Sequence, residues 1–254
     1  MRLRFAALLV LHASVYAQSG RGSAPAAKAA APIDLTGYWV SVVTEDWRFR
    51  MVTPAKGDYL GVPMTMESKR VADAWDPAND EAAGEACKSY GAAAIMRVPA
   101  RFHITWTDDN TMRVDIDAGT QSRLFHFGAW KAPGGEPTWQ GDSTAQWEYK
   151  RTPIGLMGQL QPPSPGPQRS GNLKVTTTHM RAGYLRKNGV PYSENAMLTE
   201  YYDVVHEHDG SVWMIVTSAV RDPLYLQQPF VLSTHYKKQA DGAGWDSTPC
   251  SARW

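Results

Sequence analysis

The sequence predicts a mainly β fold: an antiparallel barrel of about 8–10 strands carrying one short helical insert. Three observations carry this reading. Apolar and polar residues alternate with a period of two over most of the chain, as in Phe102, Ile104 and Trp106 against His103 and Thr105. Turn signals such as Asp108-Asp109-Asn110 and His208-Asp209-Gly210 recur at short intervals between these runs. Helical periodicity is confined to residues 66–90, and a sheet with so few helices to cover its edges is best closed on itself.

The clearest strands lie between Leu173 and Lys237. They are residues 173–181, 196–207, 211–221 and 229–237, joined by a polar loop over 182–195 and by turns at His208-Asp209-Gly210 and Asp222-Pro223. Upstream, a hairpin is expected from residues 102–117, where Met112, Val114 and Ile116 alternate with Arg113, Asp115 and Asp117. Further strands are expected at 121–128 and 138–150, with Pro- and Gly-rich connections at 132–137 and 152–171. The helical insert over 66–90 breaks at Asp76-Pro77, and Asp76 and Asn79 are candidate caps for its second half. Val71, Ala74 and Trp75 lie at helical spacing, the face expected to meet the sheet. The first strand opens at Gly37-Tyr-Trp39 and is read as continuing to Arg50.

The amino terminus reads as an address. Arg2 and Arg4 precede a short apolar run, and Val15-Tyr16-Ala17 presents small residues for cleavage after Ala17. Residues 1–17 are therefore expected to be a signal peptide, and the mature protein periplasmic or secreted. Residues 18–32, rich in Ala, Gly, Ser and Pro, are expected to be a disordered linker, leaving 33–254 as a single barrel domain. No later stretch approaches the roughly 20 apolar residues of a spanning helix, so no integral membrane segment is expected in the mature protein.

Composition narrows the partners. The 26 basic and 25 acidic side chains give a net charge of +1, with no basic stripe, so nucleic acid is not an expected partner. Ten Trp and eleven Tyr suit strand faces and pocket walls. Cys87 and Cys250 are an even pair, most simply one disulfide in an oxidising compartment. The alternative is two separate thiols, one of them nucleophilic. The chain has no Gly-x-Ser-x-Gly elbow, no phosphate-binding glycine loop, no Cys-x-x-Cys and no His-Glu-x-x-His, and no cofactor is expected.

Leu35-Thr-Gly-Tyr-Trp39, Gly183-Tyr-Leu-Arg-Lys-Asn-Gly-Val-Pro191, Leu198-Thr-Glu-Tyr-Tyr202 and Asp222-Pro-Leu-Tyr-Leu-Gln-Gln-Pro-Phe230 together resemble secreted bacterial lipocalin-like proteins. The resemblance runs from about Ile33 to Cys250 and implies a calycin-type barrel, with Trp39 packed across its closed end. It implies no catalytic residues. The insert over 66–90 departs from a simple eight-stranded calycin.

Three functions follow as expectations. The first is binding of a small, mainly apolar molecule inside the barrel, with Arg181, Tyr184, Arg186, Asn188 and Tyr192 of the region from Arg181 to Glu200 contacting it at the mouth. Arg186 is suited to fork onto a carboxylate or phosphate. The second is a cofactor-independent lyase, isomerase or hydrolase. It would use a lumenal imidazole, with His103, His126, His179 and His235 as candidates and Glu200 as the carboxylate. The third is metal binding through His206 and His208, two residues apart on one strand face. Each of these residues also has an ordinary structural reading, as a satisfied or solvated side chain. The sequence leaves ligand identity and oligomeric state open.

Overall fold

A computed structural model of the protein describes residues 25–44, 47–149 and 171–253. Its helices are short: α1 Ala27–Ala30, α2 Trp47–Arg50, α3 Met66–Ala74, α4 Pro77–Ala82 and α5 Ala92–Ile95, with a 3-10 turn at Ala86–Tyr90. Its strands are β1 Gly37–Val42, β2 Arg101–Asp108, β3 Thr111–Ile116, β4 Gln121–Phe127, β5 Asp142–Tyr149, β6 Gly171–Thr178, β7 Gly183–Arg186, β8 Val190–Tyr192, β9 Met197–His206, β10 Val212–Arg221 and β11 Phe230–Gln239.

Nine strands close into a barrel in the order β1-β11-β10-β9-β6-β5-β4-β3-β2, and β2 returns to β1. The predicted barrel is present, but its strands are not all antiparallel: β4 and β5 run parallel, pairing Phe125 with Ser143 and Phe127 with Ala145. The reason is parity. Strands that alternate up and down can close a ring only if their number is even, so a closed ring of nine needs a parallel seam. The Pro/Gly connection after β4 supplies it by running back along the barrel before β5 starts.

The direction of each strand gathers the long insertions at one end. Residues 43–44, 47–100, 179–196 and 222–229 all emerge there and build a cap. The opposite end carries the turns at 109–110 and 207–211, and α1. Two apolar cores result. One fills the barrel around Trp39, Phe102, Val114, Leu173 and Tyr202. The other lies in the cap, where Met64, Ala72, Leu185, Val190 and Tyr192 pack with Leu198 and Phe230 from the barrel rim.

The cap is ordered by local chemistry. Thr65 Oγ1 accepts from Ser68 N at 3.1 Å to start α3. Asp76 Oδ1 accepts from Ala78 N at 2.9 Å, with Pro77 at the first position of α4, so the predicted break at Asp76-Pro77 is real. Asn79 lies inside α4 rather than at its cap. The buried face of α3 is Ser68 and Ala72, not Ala74, which is exposed. Trp75 packs onto the β7–β8 turn. There Gly189 has φ +84°, and a Cβ would stand 2.3 Å from the Trp75 side chain.

Other differences concern chain that the sequence left extended or loose. Residues 47–50 form a turn of helix, not a continuation of β1. The 182–195 loop is instead a buried two-stranded ribbon, β7–β8, lying among α3, α5 and the 3-10 turn. The part of the expected linker that is described, 25–32, is ordered. Trp147 Nε1 donates to Ala27 O at 2.8 Å, Tyr149 Oη donates to Ala30 O at 2.9 Å, and Ala27 and Ala30 are buried. Alanine is small enough to let this backbone approach the β5 side chains that donate to it. The expected signal peptide, residues 18–24 and most of the 152–171 connection fall outside the described residues.

Cys87 and Cys250 form a disulfide, tying the 3-10 turn of the cap to the carboxyl-terminal tail. No helix among the described residues is long and apolar enough to cross a membrane.

Candidate functional site

The barrel interior is filled by its own side chains. Trp39, Leu173, Val175, Tyr202, Met214, Val216 and Tyr236 from five strands are all 0 % exposed, which leaves no water-sized void beside them. This corrects the expectation of a guest molecule in the lumen. The alternating pattern is satisfied by aromatic and aliphatic bulk, and that bulk meets at the axis.

The interior also holds a charge pair. Arg123 follows the inward phase of Phe125 and Phe127 on β4, and Glu200 that of Leu198 and Tyr202 on β9. The two meet in a fork: Arg123 Nη1 donates to Glu200 Oε1 at 3.0 Å and Nη2 to Oε2 at 2.6 Å. Nη2 also reaches Thr177 Oγ1 at 3.3 Å, and Thr177 shares a hydrogen bond with Ser143 at 2.8 Å. Burial alone would lower the Arg123 pKa, but the Glu200 charge raises it overall, so the guanidinium stays charged. Glu200 is thus held as a structural counter-ion with no solvent-facing edge, which corrects its reading as a catalytic carboxylate.

The four strand histidines also leave the lumen. His103 stacks on Tyr38 outside the barrel with centroids 4.1 Å apart, and His126 stacks on Trp130 at 4.0 Å. Partial burial lowers the His126 pKa. His179 does not belong to β6. It sits just past it at φ +56°, its Nδ1 2.8 Å from Asp142 Oδ2. His235 alternates with inward Thr234 and Tyr236 and so faces outward. His206 and His208 are exposed at the β9–β10 turn. Among the described residues no three His, Cys, Asp or Glu side chains converge as metal ligands. Lumenal imidazole catalysis therefore has no geometry to rest on.

The expected ligand contacts lie in the cap and are mostly engaged in building it. Arg181 pairs with Glu85 and stacks over Trp139 at 4.4 Å. Tyr184 Oη donates to Asp80 Oδ2 at 2.9 Å, and burial followed by that hydrogen bond raises its pKa. Asn188 Nδ2 donates to Asp58 O at 3.0 Å and Ala55 O at 3.2 Å, and Tyr192 is fully buried. Arg181 and Asn188 hold segments together, while Tyr184 and Tyr192 also line an open cleft of about 400 Å3 with Lys88, Glu194 and Tyr225. Arg186 lines a different, much smaller cavity.

That cavity lies between the two cores and encloses about 20 Å3, room for one water-sized group. Four basic side chains border it: Arg50, Arg97, Arg186 and Lys187, exposed by only 3 %, 8 %, 5 % and 7 %. Arg50 Nε donates to Arg97 O at 3.0 Å and Nη1 to Val42 O at 2.7 Å. Arg50 Nη2 is buried without a hydrogen-bond partner, as is Thr53 Oγ1 on the same wall. Arg186 Nη1 donates to Leu60 O at 2.8 Å and its guanidinium lies 4.3 Å over Phe49. Lys187 Nζ donates to Tyr90 Oη at 2.7 Å and lies 4.3 Å over that ring. Arg97, Arg186 and Lys187 each have a further interaction besides these.

Burying a cation away from carboxylates is expensive, so the Arg50 side of the cavity is a place that favours negative charge. The Arg50 charge is met only by carbonyl oxygens among the described residues. Burial pushes the Lys187 amine down to about 7. Its charged form is then disfavoured in the folded state, while the unfolded chain keeps the ordinary lysine value. Between about pH 7 and 10 the unfolded chain binds the extra proton, so this group adds stability as pH rises. Lys187→Met should remove that rise. The stability difference between the variant and the wild-type protein, from urea titrations at pH 6 and pH 9, should favour the variant more at pH 6. An unchanged difference would show that the amine carries no burial penalty.

Three of the charged residues that matter were not singled out in the sequence, and each had a local signal. Arg97 interrupts the apolar stretch Ile95-Met96-Arg97-Val98, Arg50 stands between Phe49 and Met51, and Arg123 keeps the phase of Phe125. A cation inside an apolar pattern is the mark they share. No family model, curated protein or solved structure matches this chain.

Proposed function

We propose that this protein is an exported, lipocalin-like binder of a small amphipathic anion, a carboxylate or phosphate ester on a mainly apolar body. Its site is the cationic cavity of the cap rather than the barrel axis. The observation that carries this is the buried Arg50 guanidinium, with Nη2 unsatisfied beside Thr53 Oγ1, in a wall it shares with Arg97, Arg186 and Lys187. One oxygen of an anionic head group, no larger than a water, supplies the acceptor that Arg50 Nη2 lacks, with the rest of the head group at the opening. The enclosed space is too small for a whole ligand, so the apolar body lies outside it, over the exposed side chains of Trp47, Met51, Val52 and Leu60. The disulfide supports the exported location, since such bonds persist in oxidising compartments.

The test uses 1-anilinonaphthalene-8-sulfonate, an apolar dye with an anionic group, displaced by decanoate. Decanoate should displace the dye and decanol should not. Arg50→Gln and Arg186→Gln should each weaken decanoate by about tenfold or more, equivalent to about 1.4 kcal/mol. Equal displacement by decanol, or unchanged affinity in both variants, would sink the proposal.

A further inference from the structure

A second site lies on the outer wall of the barrel, far from the charge cluster in chemistry. The register places Tyr38 of β1, His103 of β2, Asp115 of β3 and Ser122 of β4 directly opposite one another, so they form one outward row across four strands. The carboxyl-terminal tail passes over the end of this row and adds Trp245. Its ring stands edge-on to both Tyr38 and His103, with centroids 6.2 Å and 6.5 Å away. Between row and tail is a cleft of about 340 Å3, also lined by Arg113, Gln121 and Ser247. That volume falls within the range of small-molecule sites.

The cleft is preorganised. Gly242 lies so close to Tyr38 that a Cβ there would stand 2.8 Å from its ring, and Trp245 Nε1 donates to Ser247 Oγ at 3.0 Å. The disulfide at Cys250 anchors the same tail. Arg113 Nε donates to both carboxylate oxygens of Asp115 at 2.8 Å and 2.9 Å, and Ser122 Oγ donates to Asp115 Oδ1 at 2.7 Å.

These features select a ligand class. Arg113 and Asp115 cancel one another's charge, so neither an anion nor a cation is favoured. The two flat rings are already stacked on each other, leaving no slot for an aromatic ligand between them. What remains is an aromatic wall beside side chains that still have donors and acceptors to offer: the Arg113 terminal nitrogens and a second lone pair on Asp115 Oδ2. A ligand with one apolar face of C–H bonds and a rim of hydroxyls meets both. Those C–H bonds carry slight positive charge and suit the negative face of an aromatic ring. We propose that this cleft binds a neutral saccharide, with a pyranose face against Trp245 and Tyr38 and vicinal hydroxyls on Asp115 and Arg113.

Saturation-transfer NMR on the full chain with maltose, cellobiose and N,N′-diacetylchitobiose tests it. At least one should receive saturation, strongest on the ring protons of one face. Trp245→Ala, on the tail, and Asp115→Asn, which keeps the shape of the side chain, should each cut the transfer several-fold. Arg186→Gln touches the other site and should leave it intact. Silence with all three sugars would overturn the assignment. So would transfer that persists in both cleft variants, or is lost in Arg186→Gln as well.

Discussion

Glu200→Ala is expected to cost about 3–5 kcal/mol of stability, because it strands the Arg123 guanidinium in the middle of the barrel with no counter-charge. Both side chains are 0 % exposed, so water cannot replace the lost carboxylate without opening the sheet. Thr177 Oγ1, at 3.3 Å, is a neutral acceptor and cannot offset a full charge. Removing both charges is a different experiment. Arg123→Met together with Glu200→Leu leaves no unpaired charge, and that double variant should lose much less than the single one. Urea or guanidinium titration of the three proteins checks this. A single Glu200→Ala variant within about 1 kcal/mol of wild type would show that the pair is not the buried clamp described above.

Removing the disulfide is expected to have a similar effect. Cys87 and Cys250 are 163 positions apart, so the bond restricts most of the unfolded chain, and its loss should cost about 3–5 kcal/mol. Its local contacts move in the same direction. The tail it anchors donates Ser251 N to Tyr90 Oη at 3.3 Å and Thr248 N to Asp117 O at 3.1 Å. The double variant Cys87→Ala with Cys250→Ala, measured by denaturant titration, should show the full loss. The same variant should also lose saccharide binding ahead of the unfolding transition, since the tail forms one wall of the outer cleft. A midpoint unchanged from wild type would contradict this account.

The barrel was legible because it rests on a two-residue period that survives in nearly every strand. Phe102, Ile104, Met112, Val114 and Ile116 are inside, while His103 and Arg113 are outside, as alternation requires. The cap was legible only in part, because its order comes from contacts between distant segments. Nothing local in Ala182–Asn195 shows that α3 and the 3-10 turn will cover it, so it read as an exposed loop rather than the buried ribbon it is. Trp47-Arg-Phe-Arg50 alternates like a strand, yet no neighbour remains for it once β2 has paired with β1. The charged pocket drew on two such segments at once, which is why Arg186 was noticed and Arg50 and Arg97 were not. The filled lumen was hidden for another reason. Alternation says which side chains point inward but not whether their summed bulk leaves space.

The odd number of staves in this barrel limits how its architecture can change. Inserting or deleting a hairpin alters the count by two and leaves the mismatch between β4 and β5 where it is. Gaining or losing a single stave makes the ring even, and the long return path after Phe127 then has no purpose. A protein that shares this plan with eight or ten staves must have exchanged that return path for a tight turn.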